Sequence, residues 1–174
     1  YNLVTELDLS KNTALTEVYC ITNGLTGLNV SKSGSLTTLD CSGNLLRSLN
    51  LSANTKLADL NCSNHQLSGI SLSTNTLLTK LNCGGNPFVN LDLSANTKLG
   101  ILNCNNSPLT SIDLSANTAL TWVNWNEGQL TSLDVSGHAA LTGLSCFNNP
   151  LTSLNVSMCT AMTRLYCYNT RLTT

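Results

Sequence analysis

Cysteine is the residue type in this chain with the most chemistry to offer, since thiols pair into disulfides, ligate metals and act as nucleophiles. The 174-residue chain has eight cysteines, and seven are separated by 21 residues or a multiple of 21. These seven are Cys20, Cys41, Cys62, Cys83, Cys104, Cys146 and Cys167, and Trp125 stands in the one empty slot. Disulfide frameworks and metal sites cluster their cysteines at varied spacings. A strict period predicts instead that each cysteine has the same structural role in successive copies of one repeat.

The apolar residues follow the same period and show what must position the cysteines. One copy reads Leu36-x-x-Leu39-x-Cys41-x-x-Asn44 and continues as Leu46-x-x-Leu49-x-Leu51-x-x-Asn54. The 21 residues therefore divide into halves of ten and eleven. Each half has a short apolar–polar–apolar alternation, which predicts a strand of three or four residues. No window carries the long apolar stripe of an amphipathic helix.

The pattern L-x-x-L-x-[L/C]-x-x-N-x-L resembles the leucine-rich repeat signature. The alternating ten- and eleven-residue halves with cysteine in one of them are similar to a bacterial subclass of these repeats. The resemblance covers essentially the whole chain in about eight copies. It implies a leucine-rich repeat solenoid that is mostly β, with two narrow parallel sheets (one per half-repeat) joined by turns. Little or no α-helix and a weakly curved right-handed coil are expected.

The predicted organisation is a single domain over residues 1–174. Because the chain starts and stops within a copy and shows no polar caps, we expect a fragment of a longer protein. The resemblance further implies a protein located outside the cell or on its surface, since such repeats are typical of bacterial surface proteins.

Polar positions recur as regularly as the apolar ones. In leucine-rich repeats the signature asparagine points inward and satisfies backbone groups of the turns. Two asparagine columns are expected, formed by Asn44, Asn86 and Asn149 and by Asn54, Asn75, Asn96 and Asn117. His65, His138 and Cys159 occupy positions of these columns, which favours a structural role over catalysis or metal binding. The cysteines of neighbouring copies point in parallel into the core, so disulfide pairing is the weaker alternative.

Two irregular features leave alternatives open. Trp125 in a cysteine slot would overpack the core, so either the chain bulges locally or the indole turns outward. Such a site is a tolerated irregularity or a functional one. Asp92, Asp113 and Asp134 stack in one register, where a calcium column is conceivable. The six to eight oxygen ligands that calcium needs are not supplied by their neighbours, and we expect no metal.

Composition and motifs narrow the function classes. The formal net charge is −1 and only 10% of the residues are charged, so nothing attracts nucleic acid or an anionic membrane. No apolar run reaches the length of a membrane span, and no signal peptide is visible. Catalytic and nucleotide-binding motifs are also missing. We therefore expect a chain that is not an enzyme and binds no cofactor.

The two outward faces differ in how much they vary. Outward positions of the second half are small and polar throughout, whereas those of the cysteine half vary in size, charge and aromaticity. In leucine-rich repeats the corresponding strand lines the concave recognition surface. The candidate partner-binding residues on this face are Tyr19, Lys80, Trp122, Phe147, Arg164, Tyr166 and Tyr168. Four aromatic residues fall in three successive copies and predict interface anchors, the alternative being scattered surface or cap residues.

The first functional hypothesis is a protein–protein interaction or adhesion module that binds a protein partner, possibly host-derived, through the variable face. The second is a structural stalk or a self-assembling segment that associates through its uncapped ends.

Overall fold

The computed structural model describes residues 4–173, so the two ends of the predicted 1–174 domain lie outside the described part. Twelve strands of three residues each are present, and no helix occurs among the described residues. The strands are β1 Glu6–Asp8, β2 Glu17–Tyr19, β3 Gly27–Asn29, β4 Thr38–Asp40, β5 Asp59–Asn61, β6 Lys80–Asn82, β7 Ile101–Asn103, β8 Trp122–Asn124, β9 Ser132–Asp134, β10 Gly143–Ser145, β11 Ser153–Asn155 and β12 Arg164–Tyr166. Residues 4–173 contain no helix long and apolar enough to cross a membrane.

The cysteine halves form one continuous parallel sheet. Its eight strands follow the order β2-β4-β5-β6-β7-β8-β10-β12, one strand from each turn of the solenoid. Each residue pairs with its equivalent one copy later, as Leu39 does with Leu60 and Leu60 with Leu81. The predicted helix-free parallel solenoid of about eight turns is confirmed.

The second sheet is shorter than predicted. Second-half strands pair only near the two ends of the described coil, as β1 with β3 and β9 with β11. In the four turns between them the equivalent segments run without strand pairing. Clefts of about 330 and 280 Å³ open here between adjacent turns, along residues 90–94 and 111–116 and along 68–73 and 89–92.

The core is a stack of identical rungs. Leucines such as Leu36, Leu57 and Leu78 are fully buried in one register, and six of the eight cysteines are buried in another. All eight cysteines are free thiols, and the Cys83 and Cys104 sulfurs lie 2.9 Å apart. Burial raises the pKa of Cys20 to about 11 and that of Cys146 to about 12. These two thiols therefore stay protonated at neutral pH. The buried cysteines pack as small hydrophobic side chains.

The first asparagine column links consecutive turns through side-chain amides. The Asn44 Nδ2 donates to the carbonyls of Cys20 at 2.9 Å and Cys41 at 2.7 Å. Its Oδ1 accepts from the Leu25 backbone N–H at 3.1 Å. One buried amide thus satisfies backbone groups on its own turn and on the preceding one, which is the reason for the inward asparagine.

The second column is built differently, since both of its donors reach preceding turns. The Asn75 Nδ2 donates to the carbonyls of Leu51 at 3.1 Å and Asn54 at 2.9 Å. Asn96 and Asn117 repeat this pair of bonds one and two turns later. The column therefore continues along the coil, each amide donating to the backbone of the asparagine before it.

The residues that replace asparagine in these columns differ in how many of its hydrogen bonds to the backbone they keep. The His138 ring places Nε2 3.1 Å from the Leu114 carbonyl and Nδ1 2.9 Å from the Val135 carbonyl. The Cys159 thiol donates to the Val135 carbonyl at 3.0 Å. His65, by contrast, is 6% exposed and neither ring nitrogen has a hydrogen-bond partner among the described residues. His65 is therefore the weak point of its column.

The stacked aspartates cap turns. Asp92, Asp113 and Asp134 each accept the backbone N–H of the serine two residues later, at 2.8–2.9 Å. These bonds to serine lower the pKa of all three carboxyls. Any residue except proline could supply this N–H, so the recurring serine is explained by its hydroxyl, which can bond the same acceptor, as Ser157 Oγ does with Asn155 Oδ1 at 2.8 Å.

Replacing His65 by asparagine should restore the column and change the pH dependence of stability. Burial lowers the pKa of His65, so below about pH 6.5 the unfolded chain takes up a proton that the folded chain does not. Protonation of His65 in the unfolded chain therefore lowers the free energy of unfolding as the pH falls. We expect His65→Asn to gain about 1 kcal/mol at neutral pH and more at pH 5, measured by urea unfolding. An equal effect at both pH values would contradict this account.

The burial pattern also predicts thiol reactivity. Only Cys159 and Cys167 are partly exposed, so a thiol reagent at pH 8 should modify about two groups per native chain. In denaturant without reductant, all eight thiols should react. Fewer than eight would reveal disulfides, and a rapid native reaction of six or more would contradict the packed core.

Candidate interaction surface

The cysteine-strand sheet presents its outward side chains in straight columns. The first residue of each strand forms one column, the third residue a second, and the residue two positions after the strand a third. Because the strands pair in register, neighbours in a column are about 4.8 Å apart. The first column reads Glu17, Thr38, Asp59, Lys80, Ile101, Trp122, Gly143 and Arg164.

Trp122 and Arg164 interact across a glycine. The six-membered ring of the indole lies against Gly143 on the next strand, where a Cβ atom would overlap it. On the strand after that, the Arg164 guanidinium carbon lies 6.0 Å from the ring centroid, a cation–π contact. The glycine thus allows the ring to reach along the column towards an arginine two strands away.

A second aromatic pair lies at the other end of the same strands. The Phe147 and Tyr168 rings stack with centroids 4.5 Å apart and planes 7° from parallel. Their spacing is that of two adjacent turns, so the stack follows the axis of the solenoid. Tyr166, which is 44% exposed, lies in the middle column on the last strand.

The floor between the two groups is small and polar. Gly143 and Ser145 on strand β10 are buried, and the Ser145 hydroxyl donates to Asn126 Oδ1 at 2.8 Å. The first and third columns are four residues apart, about 13 Å along an extended chain. The C-terminal patch is therefore a shallow slot with Trp122 and Arg164 on one side, Phe147 and Tyr168 on the other, and Tyr166 at one end.

Tyr19 and Lys80 lie outside this patch. Tyr19 is five strands from Trp122, about 24 Å. Its hydroxyl donates to Glu17 Oε2 at 3.4 Å, and the Glu17 charge raises the pKa of Tyr19. Lys80 pairs with Asp59 at 3.5 Å and is two strands from Trp122. The structure therefore groups five of the seven candidate residues and separates these two.

Sequence reasoning missed two residues of this surface. Ile101 is 39% exposed and lies beside Trp122 in the first column, where an apolar residue at an outward position was the available signal. Gly143 is the second, because the ring of Trp122 depends on its missing side chain. A glycine at the register between a tryptophan and an arginine could have indicated this contact.

Both predictions for Trp125, an indole turned outward and a local bulge of the chain, are wrong. The indole is fully buried, so it does not turn outward. Strand β8 keeps its register with β7 and β10, so the chain does not bulge there. Gly128 provides the room, since a Cβ atom at that position would lie 3.2 Å from Trp125 Cδ1 and 2.8 Å from Asn149 Oδ1. The missing asparagine compensates for the volume of the tryptophan.

The substitution Gly143→Ala tests the first aromatic contact. The new methyl must displace the Trp122 ring, which should cost about 1–3 kcal/mol in unfolding free energy. In a Trp125→Phe background, acrylamide should quench Trp122 fluorescence more strongly after the change. Gly69→Ala is the control, because a Cβ atom there meets no atom within 4 Å. Unchanged quenching in Gly143→Ala would contradict the described ring position.

No protein-family model and no curated protein sequence matches the chain. Among solved structures, the functional domain of InlJ from Listeria monocytogenes, which includes a cysteine ladder, shares 28% identity over 98% of this chain and 57% of that chain (TM-score 0.54). YopM from Yersinia pestis, a leucine-rich effector protein, shares 24% identity over 95% and 49% (TM-score 0.77). The LRIM1/APL1C complex shares 18% over 99% and 35% (TM-score 0.86).

The chain therefore spans between about a third and just over half of the length of these three chains. The cysteine ladder of the Listeria protein corresponds in kind to the stacked cysteines of this core. The solenoid, its cysteine rung and these neighbours together show that the chain has the leucine-rich repeat fold and resembles bacterial leucine-rich repeat proteins.

Proposed function

We propose that the chain is the protein-interaction module of a bacterial surface or secreted protein and binds its partner through the cysteine-strand face. The observation that carries the proposal is the C-terminal patch, where Trp122, Arg164 and the stacked Phe147 and Tyr168 are held on one rigid sheet. Tryptophan, tyrosine and arginine are the residue types that dominate binding energy at protein interfaces. A partner from a host organism is the class to test first.

The location of these side chains strengthens the proposal. Trp122, Arg164 and Tyr166 stand on paired strands. Phe147 and Tyr168 follow two residues after such strands, and their carbonyls accept backbone N–H groups of the preceding turn at 3.1 Å. Little backbone entropy is therefore lost on binding. Structural neighbours support the same class of function, since one is solved as the LRIM1/APL1C complex. The residue types that could do other chemistry, the ladder cysteines and both histidines, are used within the core. We therefore propose binding rather than catalysis.

The wild-type chain and matched variants are immobilised and used as bait. Detergent extracts of surface-biotinylated animal cells are passed over the wild-type chain and over Trp122→Ala/Tyr166→Ala. Each anchor contributes about 2 kcal/mol at a hot spot, about 30-fold in affinity, so loss of both should weaken binding of a retained protein by about 700-fold if the two effects add. Asn90→Ala/Ser132→Ala on the opposite face is the control and should retain it fully.

Two results would contradict the proposal. Equal retention by the Trp122→Ala/Tyr166→Ala variant would show that the patch is not the binding surface. Retained material that survives trypsin treatment of the cells would show that the partner is not a protein. Light scattering must give all variants the same mass, because a concentration-dependent mass would favour the self-assembling segment instead.

A further inference from the structure

Arg164 differs from the other cation on the cysteine-strand sheet. Lys80 has a carboxylate partner in Asp59 at 3.5 Å. The Arg164 guanidinium makes no hydrogen bond and no ion pair with any residue between 4 and 173, and its one recorded side-chain contact is the Trp122 ring. All its N–H donors therefore face solvent at the edge of the aromatic slot.

Arg164 has no acidic neighbour on the strands around it. Glu127 lies on the other side of the slot, in the turn after strand β8, where its backbone N–H donates to the Phe147 carbonyl at 3.1 Å. Strands β7, β8, β10 and β12 carry no acidic residue. The carboxylates of the sheet are Glu17, Asp40 and Asp59, on strands β2, β4 and β5. Asp59 is five strand spacings from Arg164, about 24 Å, which exceeds the screening length of about 8 Å at physiological ionic strength. No carboxylate of the sheet competes for Arg164.

We infer that the C-terminal patch recognises an acidic-hydrophobic polypeptide segment, whose carboxylate binds the Arg164 guanidinium while a neighbouring apolar side chain enters the slot between Trp122 and the Phe147–Tyr168 stack. This inference rests on the proposed function and specifies the partner. Guanidinium binds a carboxylate through two parallel N–H···O bonds, and its contact with Trp122 holds the group in place before binding. A single arginine suits one carboxylate, whereas phosphorylated segments are bound by clusters of arginines.

A display library of random twelve-residue peptides provides the probe. Selection on the wild-type chain should enrich peptides that place Asp or Glu next to Leu, Phe, Tyr or Trp. Synthetic, amidated versions of enriched peptides should bind Arg164→Gln at least about tenfold more weakly than wild type, measured by fluorescence anisotropy, because the charged hydrogen bonds to the peptide carboxylate are lost. Arg47→Gln is the control, because Arg47 lies on the opposite half and bonds Gln66 at 3.1 Å.

Further variants separate a two-point contact from simple charge attraction. Arg164→Lys keeps the charge but loses the fork, so it should bind the peptides more weakly than wild type. The same peptides with Asp→Asn or Glu→Gln should bind the wild-type chain as weakly as the originals bind Arg164→Gln. Gly143→Ala should also reduce affinity, since it displaces the ring whose centroid lies 6.0 Å from the guanidinium carbon.

The inference is overturned by enrichment without acidic residues, by failure to enrich any peptide, or by affinity that Arg164→Gln leaves unchanged. Full binding by Arg164→Lys would overturn the two-point contact. If acidic enrichment fails while the Trp122→Ala/Tyr166→Ala variant still loses a trypsin-sensitive partner, the proposed function stands and this inference does not. If the peptides bind but no cell-surface protein is captured, the inferred peptide recognition stands and the proposed function does not.

Discussion

Parallel pairing at an offset of one repeat is the constraint on which the rest of this structure depends. Each strand residue pairs with the residue 21 positions later, so every side chain stacks on its own equivalent at about 4.8 Å. A residue type that is favourable in one turn is therefore favourable in all, provided that it tolerates a copy of itself as neighbour. Leucine and cysteine satisfy this condition in the core. Asparagine satisfies it in the buried polar columns, because its donors reach the backbone of adjacent turns.

The same constraint explains how the exceptions are accommodated. The turns cannot move apart on the cysteine-strand side without breaking the sheet, so a large side chain needs a small neighbour. Both tryptophans have a glycine in this role, Gly128 beside the buried Trp125 and Gly143 beneath the surface ring of Trp122. On the second-half side, where four turns lack strand pairing, clefts open between adjacent turns. Large side chains on the cysteine-strand side are thus matched by glycine.

The proposed binding surface follows from this rigidity. Side chains that face outward from a continuous sheet keep fixed mutual positions, so aromatic residues from successive turns stack as Phe147 and Tyr168 do. An arginine in the same lattice can be held against an indole without a carboxylate partner. Such a surface presents its anchors already ordered, which favours binding because less entropy is lost when the partner arrives.

The sequence by itself determined the repeat length, the absence of helix, the inward registers and the face that varies, because each depends on a period that many copies repeat. Tertiary structure alone decided the points at which single residues interact between turns. The second sheet could not be judged from its strand pattern, since similar segments are paired near the ends of the coil and unpaired in the four turns between them. Trp125 could not be placed either, because the room for it comes from Gly128. The grouping of Trp122 with Arg164, and the exclusion of Tyr19, likewise depend on which side chains can reach along a column. These are contacts between individual neighbours, and a period describes only what all the copies share.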